Sequence, residues 1–355
     1  AKWGEVSTNG QVSGRRNIII NGAMKVAQRA TSVTGIGAAN GYHTVDRFHI
    51  GQADTAGRLT MTQTADGPSG FANCIKLDCT TADTSIAAGE IIWIEQRIEG
   101  QDVQQFKKGT SDAEEFTVSF YVKGNANATY ALALDDVDNA RHIVKLFSVT
   151  TAWTRIIMTF PADTTGAFDD DNALSLSVRI WLHAGSTYSS GTLQSSAWAG
   201  RTSANRAAGI TSFFDSTDRT FFLTGLQLEV GSVATPFEHR SFGEELALCQ
   251  RYYAKLSSTS GNYAGFGAGY YYSAANAAIY VKYPFTMRAA PTASISNVRA
   301  DAAAGTYATS LGTVYYGSDS AHLAIGSGSG VTVGTGTVLI GNNNANAYID
   351  FSAEL

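Results

Sequence analysis

Residues 223–256, LTGLQLEVGSVATPFEHRSFGEELALCQRYYAKL, decide the reading of this chain. Leu226, Leu228 and Val230 alternate with Gln227 and Glu229, the period-2 signature of a half-buried β-strand, and Gly231 and Pro236 stop it. Ser241 followed three residues later by Glu244 makes a capping box that satisfies two orphan backbone donors, so a helix is expected over 241–256. Leu246, Cys249, Tyr253 and Leu256 fall at spacings of three, four and three, on one stripe of that helix. Such a stripe packs the helix on its own subunit's sheet or lines a short parallel bundle on an oligomer axis. The clearest helix signal of the chain stands here, so what precedes and follows it reads as two separate β domains.

Upstream, 17–21 (NIIIN) opens a first core strand, Asn21-Gly22 marks a turn, and 24–29 alternates again. Short strands follow at 46–50, 58–64, 73–80, 90–98, 116–124, 128–135, 142–149, 153–160 and 173–183. Phe116, Val118, Phe120 and Val122 face one way, while Thr117, Ser119, Tyr121 and Lys123 face the other. This pattern without intervening helices predicts an antiparallel sandwich or jelly roll. Residues 185–215 break the rhythm with a long polar stretch that reads as a surface loop. Downstream, 277–287 sets Ile279, Val281, Tyr283, Phe285 and Met287 on one face, and 347–355 does the same with Ile349, Phe351 and Leu355. The expected chain is all-β. An arm or linker over 1–16 leads into a jelly-roll β-sandwich over 17–240, a connecting helix over 241–256 and a smaller C-terminal β domain over 257–355.

Composition agrees: 355 residues with 36 Gly and only 15% charged residues suit two domains of short strands and tight turns. A net charge of -5 without a Lys/Arg cluster argues against nucleic acid as a partner. No apolar run approaches the length of a membrane span, and no secretory h-region is visible, so a soluble chain without membrane insertion is expected. Cys74, Cys79 and Cys249 are odd in number and are expected as free thiols.

The runs RNIIINGAMKVAQR (16–29), GYHTVDRF (41–48), FTVSFYVKG (116–124) and LTGLQLEVGSVATPFEHRSFGEELALCQRYY (223–253) resemble the frame of tailed-bacteriophage tail-fibre and receptor-binding proteins that carry a carbohydrate-binding-module-like jelly roll. YPFTMRAAPT (283–292) and AYIDFSAEL (347–355) are similar to the closing domain of such fibres. The resemblance implies a virion protein assembled in the host cytoplasm, commonly a homotrimer, joined to other virion proteins through its N-terminal arm. Its distal domain would bind host-surface glycans without a cofactor. A structural calcium, common in jelly-roll carbohydrate modules, would sit on carboxylates near the first and last strands.

Catalytic motifs are sparse. Asp169, Asp170 and Asp171, and likewise Asp135, Asp136 and Asp138, lack calcium-loop spacing and read as solvated turns. The six histidines show neither H-x-H nor H-E-x-x-H spacing. Gly265, Gly267 and Gly269 run into three tyrosines where a nucleotide loop needs a helix. The positive feature is aromatic: Tyr188 and Trp198 in the long loop, Tyr315 and Tyr316 in the distal domain, and the run 270–272. Aromatic faces stack on sugar C–H surfaces, which makes these the candidate glycan contacts. With 16 Tyr and 17 Phe, most aromatics of this chain are packing residues. A non-enzymatic virion adhesin and a purely structural decoration or adaptor both fit, ahead of a polysaccharide depolymerase.

Overall fold

A computed structural model describes residues 15–258, 263–301, 310–326 and 331–355. All but the last two residues of the expected 1–16 arm, with the virion contacts assigned to it, lie outside the described residues. The chain divides into two compact units, one ending at Glu245 and taking in Leu355, the other spanning Leu246–Glu354.

The strands of the first unit are, in chain order, β1 (Ser32–Ile36), β2 (Gly41–Tyr42), β3 (His49–Ala53), β4 (Arg58–Thr64), β5 (Cys74–Thr81), β6 (Ile91–Glu99), β7 (Phe116–Gly124), β8 (Ala128–Asp136), β9 (Arg141–Val149), β10 (Thr154–Phe160), β11 (Leu174–Ala184), β12 (Ala199–Gly200) and β13 (Thr220–Val230). They pair into two antiparallel sheets, β1-β4-β5-β13-β7-β10 and β12-β9-β8-β11-β6-β3-β2. The result is an all-β jelly-roll sandwich. Alternation supplies its core: register lines up Ile50, Ile94, Ile180 and Leu132 across four strands of the second sheet. Phe116, Val118, Phe120 and Val122, all buried, join the same core from the first sheet. Each fully buried side chain of this size contributes about 1.5–3 kcal/mol.

Two expectations about the sandwich need correction. β13 is not half-buried: it lies between β5 and β7, and Gln227 and Glu229 on its second face are fully buried. The chain after Gly231 folds back over that face, where Glu229 accepts from the Thr235 N–H at 3.1 Å and Gln227 Oε1 from the Glu238 N–H at 2.8 Å. Periodicity separates two faces but does not say that a loop will cover the polar one. Nor is 17–29 a pair of strands, since Asn21 and Met24 take left-handed φ values of 61° and 57°. The segment is buried and held by side chains instead. Ile20 N–H donates to Gln96 Oε1 at 2.7 Å, Asn21 N–H donates to Glu245, and Arg240 donates to the Ile19 carbonyl at 3.0 Å.

A short helix, α1 (Ser186–Ser189), lies within the first unit; a second, α2 (Phe242–Gln250), carries the chain out of it. Ser241 Oγ accepts from the Glu244 N–H at 3.2 Å, as the capping box predicts. The helix then stops six residues short of the expected 256. Leu246 and Cys249 lie on it, but Tyr253 and Leu256 lie on β14 (Tyr253–Ser257), so the four-residue stripe is not one helical face. Tyrosines at 252 and 253 favour extended backbone, and β14 gains a ladder along β22 (Tyr348–Ser352), with Tyr253 opposite Ser352 and Leu256 opposite Ile349.

The remaining strands of the second unit are β15 (Gly265–Ser273), β16 (Asn276–Lys282), β17 (Thr292–Ser296), β18 (Val298–Asp301), β19 (Ser310–Tyr316), β20 (Ser320–Gly326) and β21 (Gly336–Gly341). They form the sheets β14-β22-β17 and β18-β21-β15-β16-β20-β19. Ile279, Val281, Tyr283, Met287, Ile349 and Phe351 are buried in a shared core as their alternation predicts, whereas Phe285 is exposed because β16 ends at Lys282. Among the described residues no helix is long and apolar enough to cross a membrane.

Candidate ligand-binding surfaces

The six-stranded sheet of the second unit buries one face and bares the other. Ile279, Val281 and Leu323 point into the core, so their neighbours in sequence point out. Pairing register then sets Val338, Ala268, Tyr280, His322 and Tyr315 side by side across five strands. Val338 is 43% exposed, Tyr280 56% and Tyr315 67%, and the Tyr315 ring stacks on His322 with centroids 5.7 Å apart and planes at 22°. Tyr270, 53% exposed, stands one row along on the same face, opposite Ala278. The cross-strand neighbours Ala268 of Tyr280 and Ala278 of Tyr270 are small and leave those two rings uncovered on that side. Ring faces of this kind stack on apolar ligand surfaces while the phenol hydroxyls hydrogen-bond to solvent-exposed polar groups.

Of the two tyrosines expected here, alternation separates the pair. Tyr315 is in the row, whereas Tyr316 turns inward, packs on the core and accepts from the Ala293 N–H at 3.2 Å. Tyr280 and His322 were not among the expected contacts. The signal for Tyr280 was present: if Ile279 and Val281 are inside, Tyr280 is outside.

The other two expected aromatics are packing residues of the first unit. Trp198 is buried, lies 5.4 Å from the Phe116 ring and donates Nε1–H to the Pro161 carbonyl at 2.8 Å. Tyr188 is half-buried against Trp181 at 5.6 Å, and with Leu193, Ala207 and Ile210 it covers the outer face of the seven-stranded sheet. The stretch 185–215 is therefore a folded cover, pinned by Ala207 N–H to the Tyr188 carbonyl at 2.9 Å and Thr211 N–H to the Thr129 carbonyl at 2.7 Å. Its polar composition hid a few large anchors.

Under and beside that cover the outer face carries an ionic lattice. Register places Glu95 opposite both His49 and Arg179, and Trp93 opposite both Gly51 and Trp181. The Arg179 guanidinium lies 4.2 Å over the Trp93 ring, and a Cβ on Gly51 would come within 2.2 Å of Trp93 Nε1. Glu95 accepts from Arg179 at 2.7 Å, Arg97 at 2.9 Å and Ser177 at 2.6 Å. Asp135 pairs with Arg179 at 2.8 Å, Arg206 at 3.1 Å and Arg201 at 3.3 Å. Burial alone would raise both carboxyls, but the arginines outweigh it and hold Glu95 well below, and Asp135 below, the usual carboxylate range. Asp135 and Asp136 are thus buried ion-pair partners, not a solvated turn. Asp138, in the turn after β8, and 169–171 are exposed as expected. Asp138 shifts the other way: burial and then the neighbouring Asp169 and Asp136 charges raise it.

Near the first and last jelly-roll strands, two buried carboxylates, Glu229 and Asp46, are engaged by protein groups. Glu229 is engaged by Thr235, and Asp46 accepts from Gln28 and pairs with Arg29 at 3.8 Å. Cys74, Cys79 and Cys249 are buried and form no disulfide, and burial pushes the first two thiols up to about 11.

No family model matches this chain, and no curated protein matches it. Among solved structures, the enzymatically active domain of bacteriophage CBA120 tailspike protein 4 aligns with 60% of this chain at 11% identity and a TM-score of 0.31. That alignment spans 21% of the tailspike chain. A family 11 carbohydrate-binding module from Clostridium thermocellum, in complex with a β-1,3-1,4-mixed-linked tetrasaccharide, aligns over 58% of this chain and 99% of its own at 10% identity and a TM-score of 0.28. TmCBM61 in complex with β-1,4-galactotriose aligns over 61% and 99% at 9% identity and a TM-score of 0.30.

Proposed function

We propose that this chain is a virion protein of a tailed bacteriophage that holds host-surface glycans on the aromatic row of its C-terminal sheet and does not cleave them. The row Tyr280–His322–Tyr315 carries the reading, because exposed rings aligned across one sheet face suit a shallow sugar site and stand outside the buried core of the described residues. The sequence runs that resemble phage fibres support the virion assignment, and they are spent on structure. Asn21 of the first run bonds the Asp46 carbonyl of the second at 3.0 Å, and Arg240 and Glu245 of the last run clasp 17–21. Recognition then falls to surfaces outside that frame.

Purified protein is expected to compete with phage for adsorption to the host. The Tyr280→Ala/Tyr315→Ala variant should need about tenfold more protein for the same inhibition, since two lost stacking contacts at about 0.5–1.5 kcal/mol each approach the 1.4 kcal/mol of one decade. Equal potency of the variant rules the row out.

The absence of cleavage is part of the proposal. Glu95 and Asp135, held ionised by arginines, are poor general acids, which a glycosidase requires. Incubation with host polysaccharide should release no new reducing ends; if it does, Asp138 is the first residue to replace.

The homotrimer belongs to the same proposal. Phe242, 57% exposed, and half-buried Leu246 stand one turn apart on α2, an apolar strip open to a partner copy. Light scattering should return three times the chain mass, and a concentration-independent monomer mass excludes it.

A further inference from the structure

We propose that Asp83, Glu90 and His183 form a binding site for a divalent transition-metal ion of the Zn2+ class, at the end of the sandwich where the chain crosses between its sheets. Asp83 follows β5 in one sheet, Glu90 precedes β6 in the other, and His183 lies near the end of β11. One ligand atom from each lies within 4.8 Å of the other two, and all three residues are buried.

The arrangement is unsatisfied as it stands. Glu90 Oε2 and His183 Nε2 are both buried and 3.4 Å apart, an ion pair when the imidazole is protonated, yet neither atom makes a hydrogen bond of good geometry. Native interiors rarely leave such atoms unpaired. A cation between them satisfies both at once, and 3.4 Å is close to the roughly 3.3 Å edge of a tetrahedron with metal–ligand bonds of about 2.0–2.1 Å.

Charge points the same way. Several buried carboxylates of this unit meet arginine or lysine, Glu95, Asp135 and Asp136 among them. Among the described residues neither Asp83 nor Glu90 has such a partner, and a doubly charged ion balances the two carboxylates.

The surrounding bonds orient the three side chains. His183 Nδ1 lies 2.8 Å from Ser212 Oγ, and Ser212 Oγ accepts from the Phe214 N–H at 3.0 Å. With a metal on Nε2 the imidazole proton sits on Nδ1, and the second lone pair of the Ser212 hydroxyl is placed to accept it. Asp83 Oδ2 accepts from Thr55 Oγ1 at 3.0 Å and the Ala56 N–H at 2.9 Å, which fixes its carboxylate plane. The backbone is pinned beneath, with Asp83 N–H on the Phe214 carbonyl at 2.8 Å and Gly185 N–H on the Glu90 carbonyl at 2.7 Å. A nitrogen ligand with two carboxylates selects Zn2+ over Ca2+, which takes six to eight oxygens.

The test uses tag-free full-length protein, stripped with a chelator, incubated separately with Zn2+ or Ca2+ and desalted. Elemental analysis should find one equivalent of Zn2+ and no Ca2+, and thermal unfolding in excess Zn2+ should move up by about 5 °C or more. Glu90→Gln and His183→Gln should each weaken Zn2+ retention at least tenfold, read only on a variant that unfolds cooperatively without metal. Failure to retain Zn2+, a preference for Ca2+, or retention unchanged in a folded variant overturns the site.

Discussion

Replacing Lys108 by methionine is expected to cost the first unit about 3–5 kcal/mol, enough to consume a large part of a domain's stability. The Lys108 side chain is fully buried, with Nζ 2.6 Å from Asp136 Oδ2, 3.0 Å from Asp163 Oδ2, and donating to the Thr165 and Gly166 carbonyls at 2.9 and 2.7 Å. The Phe168 and Trp198 rings lie 5.3 and 5.4 Å from the ammonium and exclude water. Methionine keeps the volume and removes the charge. Asp163 would keep Arg141, but Asp136 would keep only the Asn139 amides against a buried negative charge. Urea unfolding measures the loss directly. A cost below about 1 kcal/mol would mean that the ammonium is dispensable there, and Asp136→Asn in the Lys108→Met background should recover part of it.

Glu95→Gln is expected to cost a similar amount, because it leaves Arg179 facing an amide in a buried site. It should also change how stability depends on acid. The unfolded chain titrates Glu95 near its ordinary value of 4.5, while the folded chain holds it well below. The stability it contributes is therefore complete above about pH 4.5 and drains away as pH falls toward the folded value. Wild-type protein should lose stability steeply across that window, and Glu95→Gln should show a flatter curve. Asp135 has the same sign from an ordinary value of 3.8, so some acid dependence persists in the variant at lower pH. Equal slopes for the two proteins between pH 5 and pH 3 would contradict the assignment.

The strands that alternate cleanly were legible, because period-2 burial is local: 116–124 and 277–283 show their buried faces to any reader of the sequence. What alternation misses are residues whose environment is made by distant chain. Gln227 and Glu229 look solvated until 231–238 covers them, and Asp135 looks like part of a turn until Arg179, Arg201 and Arg206 arrive from elsewhere. The helix over 241–256 failed for the same reason. Its cap is local, but its end is set by a ladder with β22. The candidate surface stands between these cases. Which tyrosines face out is a matter of parity along one strand, whereas their meeting in a row depends on the pairing register of five strands.

The three-stranded sheet β14-β22-β17 has its latest-synthesised strand in the middle. Tyr253 emerges from the ribosome about 100 residues ahead of its partner Ser352, a wait of about 5–20 s at ordinary elongation rates. During that interval β14 and β17 each carry a bare hydrogen-bonding edge, and neither can pair with the other in the native order. This unit therefore closes only after translation has passed Ser352, however early the jelly roll folds. A nascent chain arrested before Tyr348 would offer proteases and chaperones an open second unit, and two such chains on one polysome would offer their edges to each other.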